Sequence, residues 1–168
     1  KEDAIPELET RKARVEEALM ALWDEEFGMF LNRNLSDGTL SRRISPTNFY
    51  ALQADCVSEE QKARMLKEHF YNPEEFWGEY IIPTISKQDP RFPDHGYWQG
   101  RIWAPTNFLT YCAMKHAGLK DACNDLSFAI LEAVRRCNIP GPNLSARIAP
   151  TTPDAFLKES LRVIGTGL

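Results

Sequence analysis

The feature that most constrains the fold is a pair of helical patterns separated by one glycine. Residues 103 to 117 read as a helix that stops at Gly118, a residue suited to the left-handed position past a helix end. From residue 119 to 137, Leu119, Ala122, Cys123, Leu126, Ala129, Ile130, Ala133, Val134 and Cys137 recur at three- and four-residue spacing and form one apolar stripe. So short a break predicts an antiparallel helical hairpin.

The rest of the chain alternates helix and loop in the same way. Residues 7 to 23 read as a helix with Leu8, Val15, Leu19 and Leu22 on one stripe, and Gly28 is taken as its stop signal. Residues 29 to 44 read as a loop or hairpin around Ser36-Asp37-Gly38. A second helix is expected to begin at Ser45-Pro46, because proline just inside a helix start has its φ preset and lacks a donor that would be unpaired there. Residues 58 to 70 make a third, with Ser58 and Gln61 in capping-box spacing. Residues 72 to 97 break the pattern with four prolines, two glycines and five aromatics, either as a functional segment or as a packed lid. Residues 138 to 152 show no periodicity, and a last helix is expected from Thr152-Pro153 to Val163. The fold class expected is all-α, with strands few at most.

Composition excludes several function classes. A length of 168 residues suits one domain or a piece of a larger one, and 43% hydrophobic residues allow a core. The net charge is -4 and no Lys/Arg-rich run occurs, so nucleic acid is not an expected partner. No apolar stretch approaches the roughly 20 residues that cross a bilayer, so no membrane partner is expected. The polar opening Lys-Glu-Asp is not read as a signal peptide. Cys56, Cys112, Cys123 and Cys137 include no C-x-x-C pair, so no metal site is expected. Three of them fall on apolar helix positions. Free buried thiols are favoured over disulfides, which points to a reducing, cytoplasmic compartment. His69 and His116 lie near helix ends, and His95 lies in a loop. No Ser-His-Asp arrangement, nucleophilic Cys motif or Gly-rich phosphate loop is present, and no cofactor is expected.

The residues suited to chemistry concentrate in Tyr97-Trp98-Gln99-Gly100-Arg101-Ile102-Trp103-Ala104-Pro105-Thr106-Asn107. A sugar presents axial C–H groups on one face and hydroxyls around its rim. Aromatic rings match the first, and Gln, Arg and Asn match the second. Gly100 allows close approach of a ligand or a backbone. Trp103 stands at a helix start, where free backbone N–H groups can meet oxygens. The alternative is that these rings are core. Phe76-Trp77-Gly78-Glu79-Tyr80 forms a second cluster. Glu79, set between aromatics, is expected to be partly buried, either bonding a ligand or paired with Arg101. Asp89, before Pro90, reads as a turn residue.

Taken in order, Ser45-Pro46-Thr47-Asn48-Phe49-Tyr50, Asn72-Pro73-Glu74-Glu75-Phe76-Trp77-Gly78-Glu79-Tyr80, Pro83-Thr84-Ile85-Ser86 and the stretch from Tyr97 to Asn107 carry a resemblance. Over roughly residues 8 to 137 the chain resembles the C-terminal half of the catalytic domain of glycoside hydrolase family 63. The resemblance implies part of a six-fold α/α toroid acting on an α-linked glucoside or mannoside. It implies that Tyr97, Gly100 and Trp103 line the subsite of the cleaved sugar. Trp98, Gln99 and Arg101 would support that subsite, with Asn107, Trp77, Glu79 and Tyr80 close by.

The family inverts its substrate with one carboxylic acid and one carboxylate on opposite faces of the bond. By resemblance the acid, an Asp, would precede Lys1, and the base, a Glu, would follow the Trp motif. The corresponding region, residues 142 to 153, holds no Glu. Residues 1 to 137 are therefore read as a segment of the glycosidase-like domain and 138 to 168 as a divergent C-terminal segment. Three readings follow. The first is a fragment or remnant of an inverting α-glycosidase that keeps the sugar wall but neither catalytic carboxylate. The others are a non-catalytic carbohydrate-binding protein and a helical self-association domain. Part of a toroid leaves apolar helix faces without partners, so a homo-oligomer or a complementary chain is expected.

Overall fold

The computed structural model describes residues 4 to 79 and 81 to 136; the expected helix at 152 to 163, the segment 138 to 168, Cys137 and Tyr80 lie outside the described residues. Four α-helices carry the fold: α1 (Ile5–Met20), α2 (Glu59–Arg64), α3 (Ala104–His116) and α4 (Lys120–Arg136).

The first helix ends earlier than its apolar stripe suggests, and Gly28 does not stop it. After Met20 the chain enters a tight hairpin, β1 (Trp23–Asp24) against β2 (Met29–Phe30), with Trp23 opposite Phe30 and Asp24 opposite Met29. Gly28, at φ 69°, closes the turn, and Gly28 N–H donates to Asp24 O at 2.8 Å. The correction has a local cause: the Asp24 carboxylate accepts from Phe27 N–H at 2.9 Å, so the Asp-Glu-Glu run forms a turn of its own. A second hairpin, β3 (Asn32–Arg33) with β4 (Leu40–Ser41), turns through Ser36-Asp37-Gly38 as the turn residues indicate. Asn34 and Asp37 there accept from the backbone two residues on.

From Pro46 to Gln53 the chain forms a 3₁₀ helix. Asn48 fixes its entry, accepting from Ser45 N–H at 2.9 Å and donating to Phe30 O at 2.7 Å. The Ser58–Gln61 capping box starts α2, with reciprocal bonds of 3.1 and 3.0 Å. Beyond Arg64 the helix widens over Met65–Phe70, where Tyr71 N–H reaches Leu66 O, five residues back. The wider turn carries Met65, His69 and Phe70 inward together.

The core lies between these elements and the α3–α4 hairpin. Phe49 meets Phe70 and Phe76 edge-on, at 6.0 and 5.4 Å between ring centres, beside Leu52, Met114 and Leu126. Fully burying each of these rings contributes about 2–3 kcal/mol. The hairpin forms as expected from Gly118: at φ 76° it lets Leu119 N–H reach Met114 O and its own N–H reach Lys115 O, capping the end of α3. Helix α1 is the exception. None of its residues is buried, and Leu8 and Val15 are 58% and 67% exposed. It meets the rest of the described chain through Leu19, which packs against the core, and through a Lys12–Asp55 ion pair at 3.0 Å.

Among the described residues, no helix is long and apolar enough to cross a membrane. Cys56, Cys112 and Cys123 are free thiols, but only Cys123 is buried, and burial pushes its thiol up to about 11.

Candidate functional site

The stretch from Tyr97 to Trp103 crosses from the loop region into α3, with Trp103 as the residue capping the helix start. Three aromatic rings meet there. Trp98 and Trp103 stand 4.4 Å apart between ring centres and nearly perpendicular, at 79°. Tyr97 lies 5.3 Å from Trp98 and 4.9 Å from Trp103. Such edge-to-face contacts order rings that would otherwise move independently. The rings do not form the core: Tyr97 is 57% exposed, Trp98 is 54% exposed and Trp103 is half-buried.

The wall is fixed to a loop that sequence reading did not connect to it. Pro83 and Ile102 form an antiparallel bridge. Thr84 N–H donates to Arg101 O at 2.9 Å, and Gly100 N–H donates to Thr84 Oγ1 at 3.1 Å. Gly100 adopts φ 104°, and a Cβ there would lie 2.9 Å from the Phe92 ring and 3.0 Å from Phe92 O. The close approach that a glycine permits is thus made by Phe92. Arg101 Nε donates to His95 O at 2.8 Å, where His95 takes the left-handed conformation at φ 47°. The Gln99 amide lies over Gly96.

That loop is itself anchored inward. Ser86 N–H donates to Ile44 O and Lys87 N–H to Glu75 O, each at 3.0 Å. Asp89 is buried and receives the Arg43 guanidinium in two bonds, 2.7 and 3.0 Å long, as well as Arg91 N–H at 2.8 Å. The Arg43 hydrogen bonds hold the Asp89 carboxyl below the usual carboxylate range. Asp89 is therefore a turn residue, as its place before Pro90 suggests.

The other expected site residues are dispersed. Trp77 is half-buried and packs against Phe70 at 5.3 Å and Tyr71 at 4.9 Å, on the core side. Glu79 is exposed rather than partly buried, because the chain bends outward at Gly78-Glu79. Asn107 is 1% exposed; its amide accepts from Ile82 N–H at 3.1 Å and donates to Ile81 O at 3.4 Å, which makes it a strut between α3 and the loop. An open depression of about 380 Å³ is lined by Glu79, Pro83, Lys87, Phe92, His95, Gly100 and Ile102. Lys87 Nζ is held there by Pro73 O at 3.0 Å and by Trp77 O.

Sequence reading also passed over a buried pair. His69 Nδ1 lies 2.7 Å from Glu75 Oε2, and its Nε2 lies 2.8 Å from Phe27 O. The only hint was a histidine and a glutamate flanking Asn72-Pro73. No three His, Cys, Asp or Glu side chains among the described residues are grouped to hold a metal ion.

Tyr97, Trp98 and Trp103 thus form a packed, largely exposed aromatic face on a mostly helical chain. The family model of the mannosylglycerate hydrolase MGH1-like glycoside hydrolase domain matches residues 1 to 148, and the chain belongs to that family. It is 27% identical over 130 residues to a mannosylglycerate hydrolase of Thermus thermophilus, covering 76% of this chain and 28% of the relative. It is 28% identical over 122 residues to a cytosolic neutral trehalase of Kluyveromyces lactis, covering 71% and 16%. Among solved structures it is similar to the family 63 mannosylglycerate hydrolase of Thermus thermophilus in complex with glucose. The TM-score is 0.64 at 23% identity, covering 74% of this chain and 31% of that one. The neutral trehalase of Saccharomyces cerevisiae follows, with a TM-score of 0.56 at 22% identity over 68% of this chain and 21% of that one. The chain spans less than a third of the length of each of these relatives.

Proposed function

We propose that this chain carries the sugar-binding wall of an inverting α-glycosidase, of α-glucosidase type, without either of its catalytic carboxylates. The observation that carries the proposal is the exposed Tyr97–Trp98–Trp103 face within a segment that belongs to a glycoside hydrolase family. The sugar is an α-linked glucoside or mannoside, stacked on Trp98 and Trp103, with Tyr97, Gln99 and Arg101 toward its hydroxyls and Gly100 allowing close approach. Asn107 supports this face as a strut between its helix and the loop.

General acid–base help from a positioned carboxyl group contributes about 10²- to 10⁴-fold each, so a chain without the pair has negligible turnover. The test is incubation of the purified chain with aryl α-glucosides. No hydrolysis above background is expected, and steady turnover that co-purifies with the chain through several columns would overturn the proposal.

The chain is read as part of a six-fold α/α toroid that associates as a homo-oligomer or with a complementary chain. The apolar side of α1, which the described residues do not cover, supports this. Light scattering is expected to show a species larger than the monomer, and a monomer at high concentration contradicts it. The free thiols suit a reducing compartment, and we place the chain in the cytoplasm.

A further inference from the structure

The aromatic wall does not hold itself in place. Trp98 is more than half exposed, so packing alone does not fix its ring. The backbone beneath it turns through Gly100 at φ 104°, a conformation with a shallow energy well for glycine. Four contacts remove that freedom, and all come from residues 83 to 95. Thr84 uses two atoms: its N–H donates to Arg101 O and its Oγ1 accepts from Gly100 N–H, so one buried residue holds the peptide before Gly100 and the peptide after Arg101. Phe92 closes the space over Gly100, and His95 O holds Arg101.

We propose that Thr84 is a positioning residue for the wall, and that its hydroxyl, backed by Phe92, sets the orientation of the Trp98–Trp103 face. Without the hydroxyl, Gly100 N–H loses its partner in a half-buried position, and the peptide rotates to find another. Rotation about Gly100 carries Trp98 away from Trp103. Whether that costs ligand affinity rests on the reading of this face as a sugar wall; the effect on ring geometry does not.

The two consequences are separable by experiment. Indoles with ring centres 4.4 Å apart are close enough to couple excitonically, which gives a paired positive and negative band in the far-ultraviolet indole region of the circular dichroism spectrum. Trp98→Phe assigns the couplet by removing it. Thr84→Val, which keeps shape and loses the acceptor, is expected to reduce it by more than half. Thr84→Ser, which keeps the oxygen, is expected to retain it. If Thr84→Val does not fold, Phe92→Leu carries the same test from a half-buried position. A couplet unchanged in Thr84→Val, lost equally in Thr84→Ser, or absent from the wild-type chain overturns the proposal. Glucose titration is the second readout. Thr84→Val is expected to weaken binding about tenfold, with Thr84→Ser near wild type. Failure of the wild-type chain to bind glucose overturns the sugar reading alone, and the couplet still decides the role of Thr84.

Discussion

At His69 both ring nitrogens are engaged, and the partners constrain the protons. Phe27 O can only accept, so Nε2 donates to it, while Nδ1 lies 2.7 Å from Glu75 Oε2. The pair ties the first hairpin to the turn that follows Phe70. Both side chains are buried, so removing one partner strands the other. Glu75→Ala is expected to destabilise the fold by about 3 kcal/mol or more in urea unfolding. A cost below 1 kcal/mol would show that the pair is incidental.

Asp89 gives a pH dependence. Its carboxyl titrates lower in the folded chain, chiefly through the Arg43 hydrogen bonds, than the roughly 3.9 of an unfolded aspartate. A depressed folded value gives stability that is fully present above the unfolded value and is lost as pH falls through the folded one. Asp89→Asn is therefore expected to lie below wild type in urea midpoint at pH 7 and at pH 5, with the gap narrowing below about pH 4. A gap that stays constant from pH 7 to pH 3 contradicts the assignment. Neither His69–Glu75 nor Arg43–Asp89 was legible in the sequence, because each joins residues whose meeting depends on the tertiary path.

Elements were legible where a local signal agreed with the packing. Ser58–Gln61, Pro46 and Gly118 each mark the boundary expected of them, because caps and preset φ angles act within one turn of chain. Gly28 was misread, since a glycine after an apolar stripe serves a helix end and a hairpin turn equally well. Of the stripe expected on α1, Leu22 lies beyond the helix end and Leu8 and Val15 are exposed; the described residues do not cover that side, and no pattern within a helix says what its face will meet. At Gly118 a Cβ would meet nothing within 4 Å, so the cost of a side chain is conformational alone. Gly118→Ala is expected to cost about 1 kcal/mol while the α3–α4 hairpin persists. A loss of several kcal/mol, or of helix content, would show that the turn has a role beyond connection.

At the scale of the whole molecule, the described chain is an ordered aromatic face held by an irregular loop over a helical core. The face itself was legible as aromatics beside amides, and the family as an order of motifs. The loop's part was not, since Thr84 and Phe92 are unremarkable residues until the fold brings them to Gly100 and Arg101. Nor was the division of labour among the expected site residues: Asn107 turned inward as a strut, Trp77 joined the core, and Glu79 faced solvent. The four tryptophans now separate into two groups, Trp98 and Trp103 on the wall, Trp23 and Trp77 away from it. The most direct measurement is therefore the set of four indole N–H signals of the nitrogen-15-labelled chain, followed by NMR as glucose or mannose is added. The account predicts saturable shifts of the Trp98 and Trp103 signals, assigned by Trp98→Phe and Trp103→Phe, with Trp23 and Trp77 unmoved. Four unmoved signals at high sugar concentration, or shifts confined to Trp23 and Trp77, would contradict it.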